Sequence, residues 1–414
     1  MEIRLVSTVS LWGTQPFSRV FWFVSTLLII VAAGCSRSAD IVVTNPASTS
    51  TLKIPIVIVL EEIPSLGSIP VGVPIEVIDE TGSELLSQAD DLDGDGMLDE
   101  VVFFAAFEAQ QSKLYRLRTN PGGAPKTTEN IQTTDAKNWK RVNGVYASID
   151  DDTYHPERGR YGYRYDGVGW ESEIIGYRLY LDERNAFDIF GKKYPLLILD
   201  RLGKSTEDYQ ADLEWGMDIL HVGSSFGFGG FGIWDNGVVY RPDKRVDGRC
   251  RVIARGPVRS VVRVDYEGWY VGDTSVNITS IISIYAGERW SEIRLLLRGG
   301  ADTLTIATGI VKNDSARSEW NENEGWLLTE GRQSRRNDGL TMILHFEIPS
   351  IQRRYDTPLD YGALLTLRQE KKLRYYISSI WDGEEEGAWR WERRSRYVSA
   401  LSKQLNTPLR IQNR

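Results

Sequence analysis

Four aspartates interspersed with glycines mark the segment between residues 91 and 99. The segment reads Asp-Leu-Asp-Gly-Asp-Gly-Met-Leu-Asp, and its acidic residues are Asp91, Asp93, Asp95 and Asp99. Carboxylates in a short glycine-containing loop can wrap several oxygen atoms round a calcium ion. The loop differs from an EF-hand because Val102 stands where the bidentate glutamate belongs. We therefore predict a structural calcium site, with a metal-free polar turn as the alternative, because Asp-Gly also favours turns.

A second group of candidate residues lies between Tyr154 and Tyr165, where aromatic, cationic and titratable side chains are concentrated. To remove the proton next to a uronate carboxylate, a protein needs a proton-transfer group beside an arginine that neutralises the carboxylate. The proton-transfer candidates are His155, Tyr161 and, farther along the chain, His221. Arg158 is a candidate for the carboxylate-binding role. The alternative is that these aromatics pack and the arginines form surface ion pairs.

The segment Trp170–Leu181 alternates in the manner of a β-strand. Alternate side chains of a strand share a face, so Trp170 would lie with Arg178, a second candidate for binding a carboxylate. Glu171 and Glu173 would lie on the opposite face, about 7 Å apart at the backbone, near the separation of the acid and base carboxylates of glycosidases. A glycoside hydrolase is therefore the enzymatic alternative, unless one of the two glutamates is only a solvated strand end.

Aromatic residues are abundant in this chain. It has 13 tryptophans and 19 tyrosines but three histidines, which favours flat stacking surfaces over a histidine-rich metal centre. The predicted stacking faces for sugar rings are Trp170, Trp215 and Trp234. Glu171 and Glu173 complete the predicted substrate-binding set.

Two classes of partner are not expected. We do not expect an organic cofactor, because the GxGxxG match at Gly227–Gly232 is followed by a hairpin turn. A dinucleotide-binding loop must instead be followed by a helix. We do not expect a nucleic acid either, because the net charge is −8 and no stretch dominated by Lys and Arg with interleaved aromatics occurs except near Arg390–Arg396.

The first 35 residues have the character of a lipoprotein signal peptide. Arg4 and Arg19 precede an apolar run from Phe21 to Cys35 that is short for a membrane span. Val-Ala-Ala-Gly-Cys35 resembles the bacterial lipobox, which predicts a signal peptide over 1–34 and a lipid on Cys35, with an uncleaved anchor as the alternative. Residues 35–50 are rich in Ser, Thr, Ala and Asn and predict a lipidated, flexible tether. Cys250 then has no disulfide partner, which predicts a buried, inert thiol.

The rest of the chain predicts an all-β protein. Short β-rich runs separated by Gly, Pro and Asp predict a small N-terminal β domain over 51–120, and 121–139 is the expected connector. Period-two runs fill 140–414 with few helix-length segments between them, which predicts a large antiparallel β-sandwich. Only the C-terminal end predicts a helix. The expected apolar stripe of this helix consists of Trp391, Val398, Leu401 and Leu405. Its expected solvated side carries Arg393, Arg394 and Arg396.

Four parts of the sequence carry a resemblance to a known family: segments 170–192, 215–223 and 255–260, and the acidic loop with the Val-Val-Phe-Phe that follows Glu100. They resemble domain-of-unknown-function family 4861 of secreted bacterial proteins. The resemblance spans most of the mature chain. It implies a mutarotase-like β-supersandwich and a place in polysaccharide-utilisation systems, where some relatives are associated with dehydration of uronic-acid oligosaccharides such as those from ulvan. Relatives often have Tyr-His where this chain has Tyr209-Gln210, and Lys where it has His221, so a lost general base would leave a binding protein.

These patterns together predict a lipid-anchored protein of the bacterial cell envelope that acts on uronic-acid-containing oligosaccharides by dehydration or β-elimination, as a carbon–oxygen lyase. The alternatives are a non-catalytic glycan-binding lipoprotein and a glycoside hydrolase. The expected partners are an acidic oligosaccharide and, through the lipid, the membrane. The sugar, the linkage, the leaflet and the oligomeric state stay open.

Overall fold

A computed structural model describes residues 36–51, 53–123, 133–157, 162–369, 372–385 and 391–414, which fold mainly as β-strands. The first fourteen strands are β1 (Ser38–Thr44), β2 (Ile54–Val59), β3 (Ile75–Asp79), β4 (Glu84–Leu85), β5 (Ser87–Asp90), β6 (Glu100–Ala105), β7 (Ser112–Thr119), β8 (Thr134–Val142), β9 (Val145–Ser148), β10 (Asp151–Tyr154), β11 (Tyr163–Ser172), β12 (Gly176–Tyr180), β13 (Phe187–Lys192) and β14 (Gly216–Asp218). The remaining strands are β15 (Phe228–Asp235), β16 (Val238–Tyr240), β17 (Asp247–Ala254), β18 (Arg259–Val271), β19 (Thr274–Tyr285), β20 (Trp290–Gly299), β21 (Thr303–Val311), β22 (Ala316–Asn321), β23 (Trp326–Gly331), β24 (Leu340–Phe346), β25 (Ile351–Arg354), β26 (Asp360–Arg368), β27 (Leu373–Trp381) and β28 (Arg410–Asn413). Helices α1 (Leu199–Lys204) and α2 (Trp391–Leu405) and three 3-10 turns, Leu60–Glu62, Pro64–Leu66 and Ile348–Ser350, complete the described elements.

The strands form five antiparallel sheets. Three of them supply the main core and have the orders β10-β17-β18-β19-β20-β27-β24-β23-β22, β14-β13-β12-β11-β8-β9 and β16-β15-β21-β26-β25. The other two are β28-β1-β7-β3-β4 and β2-β6-β5. Among the described residues, no helix combines the length and the apolar character needed to cross a bilayer.

The main core lies between the nine-stranded sheet on one side and, on the other, the six-stranded sheet and the five-stranded sheet that contains β15. Large aromatics from all three sheets meet there: Trp170 and Phe187 have ring centroids 5.4 Å apart, and Phe231 lies 5.8 Å from both Tyr266 and Trp269. Alternating β-branched and aromatic residues favour such half-buried strands. The predicted all-β class, the large antiparallel β-sandwich and the C-terminal helix are confirmed.

Some strands lie in segments that the sequence predicts to be a tether or a connector. Ser38–Thr44, inside the predicted tether, is a strand because Ala39, Ile41 and Val43 alternate into a core and are buried. The C-terminal strand β28 joins the same sheet beside β1. Thr134–Val142 covers part of the predicted connector, yet it is a strand of the six-stranded sheet.

Helix α2 lies over β24, with Val398 and Leu401 buried as expected. The expectation of a fully solvated arginine side is wrong for Arg394, which is 7% exposed. Its guanidinium binds Glu330 at 2.6 Å and also Asp382. These carboxylates come from distant strands and loops, so the local charge pattern does not indicate them.

Candidate functional site

The outer face of the six-stranded sheet carries a row of buried charged side chains. Its inner face, with Tyr177 and Leu179, packs on the sandwich core, while α1 and residues 194–215 cover the outer face. The charged residues that share the outer face are Asp135, Glu171, Arg178, Asp188, Lys192 and Asp218. Buried charges must be paired, so this face is organised by ion pairs.

Arg178 is the centre of the larger ionic group on this face. Strand register places Arg178 opposite Asp188, and Asp218 lies one strand farther on. The Arg178 Nη2 atom lies 2.5 Å from Asp188 Oδ2 and 2.8 Å from Asp218 Oδ2. We call the Arg178 cluster the set Arg178, Tyr180, Asp188, Tyr209, Asp218 and Arg335.

Tyrosines and a second arginine complete the Arg178 cluster. The Tyr180 hydroxyl donates to Asp188 Oδ2 at 2.7 Å, and Arg178 Nη1 donates to the Tyr209 hydroxyl at 3.4 Å. Arg335 reaches Asp218 Oδ1 at 3.4 Å from the loop between β23 and β24. Two carboxylates therefore face two guanidinium groups in one network.

The electrostatics of the Arg178 cluster favour a proton on one carboxyl group. Burial, and then the negative charge of Asp188, raises the pKa of Asp218 to about 7, against the opposing effect of Arg178 and Arg335. Burial also raises the pKa of Tyr209, and Arg178 opposes that rise. At neutral pH the cluster thus holds exchangeable protons within a network of ionic hydrogen bonds.

The accessible edge of the Arg178 cluster is formed by Tyr209 and Arg335. The Tyr209 side chain is half-buried, and the Arg164 guanidinium lies 5.2 Å from its ring centroid. The Arg335 side chain is 24% exposed. His221 follows Asp218 by three residues and is exposed. A ligand that reaches this edge would therefore meet a phenol and a cation, with an imidazole three residues along the chain from Asp218.

The predicted pair of carboxylates on one strand face is wrong. Trp170–Leu181 is a hairpin, because β11 ends at Ser172 and β12 begins at Gly176. Glu171 is buried, lies 2.5 Å from Lys192 Nζ and accepts hydrogen bonds from the first backbone N–H groups of α1. Glu173 lies in the turn and accepts a hydrogen bond from the Gly287 N–H at 3.0 Å. Glu171 therefore has a structural role, as the cap of α1.

Two of the three predicted stacking tryptophans are unavailable to a ligand. Trp170 and Trp215 are 0% exposed, and Trp170 Nε1 donates to Ser291 Oγ at 2.8 Å. Large flat side chains contribute most when buried, and the sandwich core uses them in this way. Trp234 is half-buried beside Tyr355, with the Arg353 guanidinium 5.7 Å from its ring centroid, and its stacking role stays a prediction.

The remaining candidates are dispersed. His155 lies beside the Val246 carbonyl and 3.3 Å from Asp247 Oδ1, near the edge strand β10 of the nine-stranded sheet. Arg158, Tyr161 and Cys35 lie outside the described residues. Cys250 is buried, and burial raises the pKa of its thiol, as expected of an inert cysteine.

The segment 91–99, which we call the Asp loop, gathers three of its four aspartates. Ligand atoms of Asp91, Asp93 and Asp99 all lie within 4.8 Å of one another. Asp91 is held by the N–H groups of Gly94 and Gly96. The Asp95 carboxylate instead accepts a hydrogen bond from the Met97 N–H at 2.8 Å, so Asp95 is not part of this group. Calcium binding at the Asp loop stays a prediction.

Calcium is expected to stabilise the folded chain if the Asp loop binds it. At calcium concentrations a hundred times the Kd, linkage gives about 2.7 kcal/mol of additional stability. The measurement is the urea midpoint of unfolding with calcium or with a chelator. Asp93→Asn should abolish the difference, whereas Asp95→Asn should retain it. Equal midpoints with calcium and with chelator in the unmodified chain would refute the prediction.

Sequence reasoning misses Tyr180, Asp188, Tyr209, Asp218 and Arg335 as members of one cluster. One signal was present: Asp188 and Lys192 interrupt the otherwise apolar strand Phe-Asp-Ile-Phe-Gly-Lys, and charges in such a strand require partners. Arg335 comes from a loop far along the chain, and no local pattern indicates its partner.

Comparison with known proteins identifies the family. The profile of the family described as domain of unknown function (DUF4861) matches residues 43–411. The chain belongs to the DUF4861 family. One relative of this chain in sequence is the uncharacterized protein P7 of Formosa agariphila, 23% identical over 355 residues that cover 80% of this chain and 82% of that protein. The predicted family resemblance is thus confirmed.

Two solved structures from Enterococcus faecalis resemble this DUF4861 chain. One is a protein in glycosyl hydrolase family 38, with 9% identity, a TM-score of 0.43 and coverage of 91% of this chain and 47% of its own. The other is an alpha-mannosidase, with 10% identity, a TM-score of 0.46 and coverage of 91% and 46%. The DUF4861 chain spans about half the length of either structure.

Proposed function

We propose that this DUF4861 protein acts on uronic-acid-containing oligosaccharides by elimination at the Arg178 cluster. One observation carries the proposal: a half-buried phenol, Tyr209, and a partly exposed cation, Arg335, are joined through Arg178 and Asp218 in a single hydrogen-bonded network. Elimination next to a carboxylate needs this pairing of a proton-transfer group with a cation.

The proposed reaction begins at the carbon next to the uronate carboxylate. A base removes the proton at C5, the C–H electron pair forms the C4=C5 double bond, and the C4–O bond breaks. The departing oxygen takes a proton and leaves as water in dehydration, or as a sugar hydroxyl in chain cleavage. We assign carboxylate binding to Arg335, proton donation to Tyr209, whose raised pKa keeps it protonated, and proton removal to the exposed His221.

Arg178 is better suited to positioning than to contact with substrate. Its guanidinium is 1% exposed and is already neutralised by Asp188 and Asp218. A cation in that state cannot also neutralise a uronate, so the direct role predicted for Arg178 passes to Arg335. Arg178 instead orients the Tyr209 hydroxyl and holds Asp218, which in turn contacts Arg335.

The same burial favours the non-catalytic glycan-binding alternative, because most of the Arg178 cluster is shielded from solvent. A glycoside hydrolase has less support. Glu171 is committed to Lys192 and α1, and Asp188 and Asp218 are bound to one nitrogen atom of Arg178. Carboxylates held that closely leave no room for a glycosidic bond between them.

We further propose that the chain is anchored at the bacterial cell envelope through a lipid on Cys35. The proposal is supported by the lipobox-like segment, which immediately precedes the folded part. Ser36 donates to the Thr119 carbonyl at 2.7 Å, so the fold begins directly after that cysteine. Structural calcium at the Asp loop is part of the same proposal and is independent of the reaction.

Tyr209→Phe is expected to lower turnover of uronic-acid oligosaccharides about 100-fold, since it removes only the proposed proton donor. The full chain in detergent is incubated with a panel of these oligosaccharides while the ultraviolet absorbance of unsaturated uronates and the product masses are followed. Tyr270→Phe is the matched control, because Tyr270 is an exposed tyrosine with Arg245 over its ring and lies outside the Arg178 cluster.

Product mass distinguishes the readings of this experiment. Loss of one water supports dehydration, and cleavage with unsaturation supports a lyase. Cleavage with addition of water would make the protein a hydrolase, and calorimetric binding without any product would leave the glycan-binding reading.

A further inference from the structure

One concave site in the described part of the chain lies outside the Arg178 cluster. A cavity of about 570 Å³ opens where the Asp loop and the 3-10 turns Leu60–Glu62 and Pro64–Leu66 meet the outer face of the nine-stranded sheet. Its volume is within the range of small-molecule sites. No described residue that lines this cavity belongs to the Arg178 cluster. The cavity is therefore a separate candidate for binding.

The charges around the cavity disfavour an anionic ligand. Its carboxyl groups are those of Glu61, Asp93, Asp95, Asp99 and Glu100. Its cations are Arg263, Arg294 and Lys372. Without bound calcium, the five carboxyl groups exceed the three cations by two charges, so an added carboxylate, sulfate or phosphate meets net repulsion. Calcium at the Asp loop would cancel that excess.

The two arginines that line the cavity are held in place by ion pairs. Arg263 lies 3.0 Å from Asp265 and donates to the Leu92 carbonyl at 2.9 Å, while Arg294 lies 2.6 Å from Glu100. Asp265 also pairs with Arg251 and Arg298, and Glu100 also pairs with Arg259. These groups offer N–H donors and carboxylate acceptors in fixed directions. A ligand that both donates and accepts hydrogen bonds is matched to them.

The rim adds two available charged groups of opposite sign. Glu61 and Lys372 are exposed, and neither has an ion-pair partner within the described ranges. Apolar side chains lie between the polar groups, among them Leu60, Ile63 and Ile281. Carboxylate and ammonium groups separated by apolar patches fit a ring that has hydroxyl groups at its edge and C–H bonds on its faces.

We infer that this cavity binds uncharged sugar rings. Hydroxyl groups donate to the carboxylates and accept from the ammonium and guanidinium groups, while the C–H faces contact the apolar residues. The inference goes beyond the proposed reaction and does not rest on it, because it uses other residues and a ligand without a carboxylate.

Saturation-transfer NMR tests the inference on the full chain in detergent with a calcium chelator present, and detergent alone is the reference. The probes are the methyl glycosides of glucose, galactose, mannose, xylose and rhamnose, with methyl glucuronide as the anionic comparison. At least one neutral glycoside should bind, and Glu61→Ala and Lys372→Ala should each weaken it about tenfold, as expected for loss of a hydrogen bond to a charged group. Glu62→Ala is the matched control, an exposed glutamate in the same 3-10 turn that does not line the cavity.

The remaining outcomes decide against the inference. Binding of glucuronide in preference to every neutral glycoside would overturn it, as would neutral binding that survives both substitutions or that requires calcium. Tyr209→Phe should leave this binding unchanged, so failure of the proposed elimination and failure of this site are told apart.

Discussion

Replacing Arg259 with leucine is expected to lower the free energy of unfolding by about 3–5 kcal/mol, the usual cost of removing one partner from a buried ionic group. Arg259, on β18, is 0% exposed. Its Nε lies 2.7 Å from Asp90 and its Nη1 lies 2.7 Å from Glu100, residues of β5 and β6. The substitution leaves Asp90 buried without its cation and Glu100 with Arg294 alone.

Urea denaturation followed by tryptophan fluorescence measures this loss. Arg298→Leu is the matched control, because Arg298 on β20 of the same sheet forms ion pairs but its side chain is 39% exposed, which limits the expected loss to about 1 kcal/mol or less. Equal losses for the two variants would contradict a special role of the buried group. Burial alone would raise the pKa of Glu100, but Arg259 and Arg294 lower it well below its usual range. Its stabilising contribution is therefore complete above the carboxyl's ordinary pKa and is lost progressively as the pH falls from there through the lowered value.

Acidification is expected to destabilise the chain through His345, on β24. His345 is fully buried, and burial lowers its pKa to about 3. Its ring nitrogens lie 2.6 Å from Ser402 Oγ of α2 and 3.3 Å from Ser378 Oγ of β27. Between the ordinary histidine pKa and about 3, the unfolded chain takes up a proton that the folded chain does not. Stability from this group is thus complete above the ordinary pKa and falls by about 1.4 kcal/mol per pH unit below it.

The slope of unfolding free energy against pH between 7 and 4 tests this expectation. His345→Gln should flatten the slope by about one proton, although the variant is also less stable at pH 7. Parallel curves for His345→Gln and the unmodified chain would show that the buried imidazole is not the source of the acid sensitivity.

Local alternation is sufficient to predict the sandwich. The run that becomes β17 of the nine-stranded sheet alternates between buried and more exposed side chains, as do the runs that become β2 and β7, so these strands can be predicted without tertiary information. The turn after Ser172 cannot be predicted from the local sequence, because the alternation continues through it and no Gly or Pro stands between Trp170 and Ile175. Packing of the two sheet faces, which the local pattern does not contain, decides where that hairpin bends.

The candidate site is less predictable for a similar reason. Arg178 is identifiable because a cation in an apolar strand must have a partner. The partners themselves come from β13, β14 and a loop beyond β23. Strand register places Asp188 and Asp218, and the path of the loop places Arg335. Whether an arginine is free for substrate or neutralised internally depends on those long-range pairings, which is why the direct role predicted for Arg178 is reassigned.

The position of β28 has a consequence for how the chain is made. This strand pairs with β1, so the first and last described strands lie side by side. A ribosome releases β1 long before β28 exists, and during that interval one side of β1 is a row of unpaired N–H and C=O groups. Such edges recruit other strands and promote aggregation. Removal of residues 410–413 by a protease would therefore expose the edge of β1, at the other end of the sequence, to pairing with other chains. The short, polar strand β28 protects that edge from such pairing.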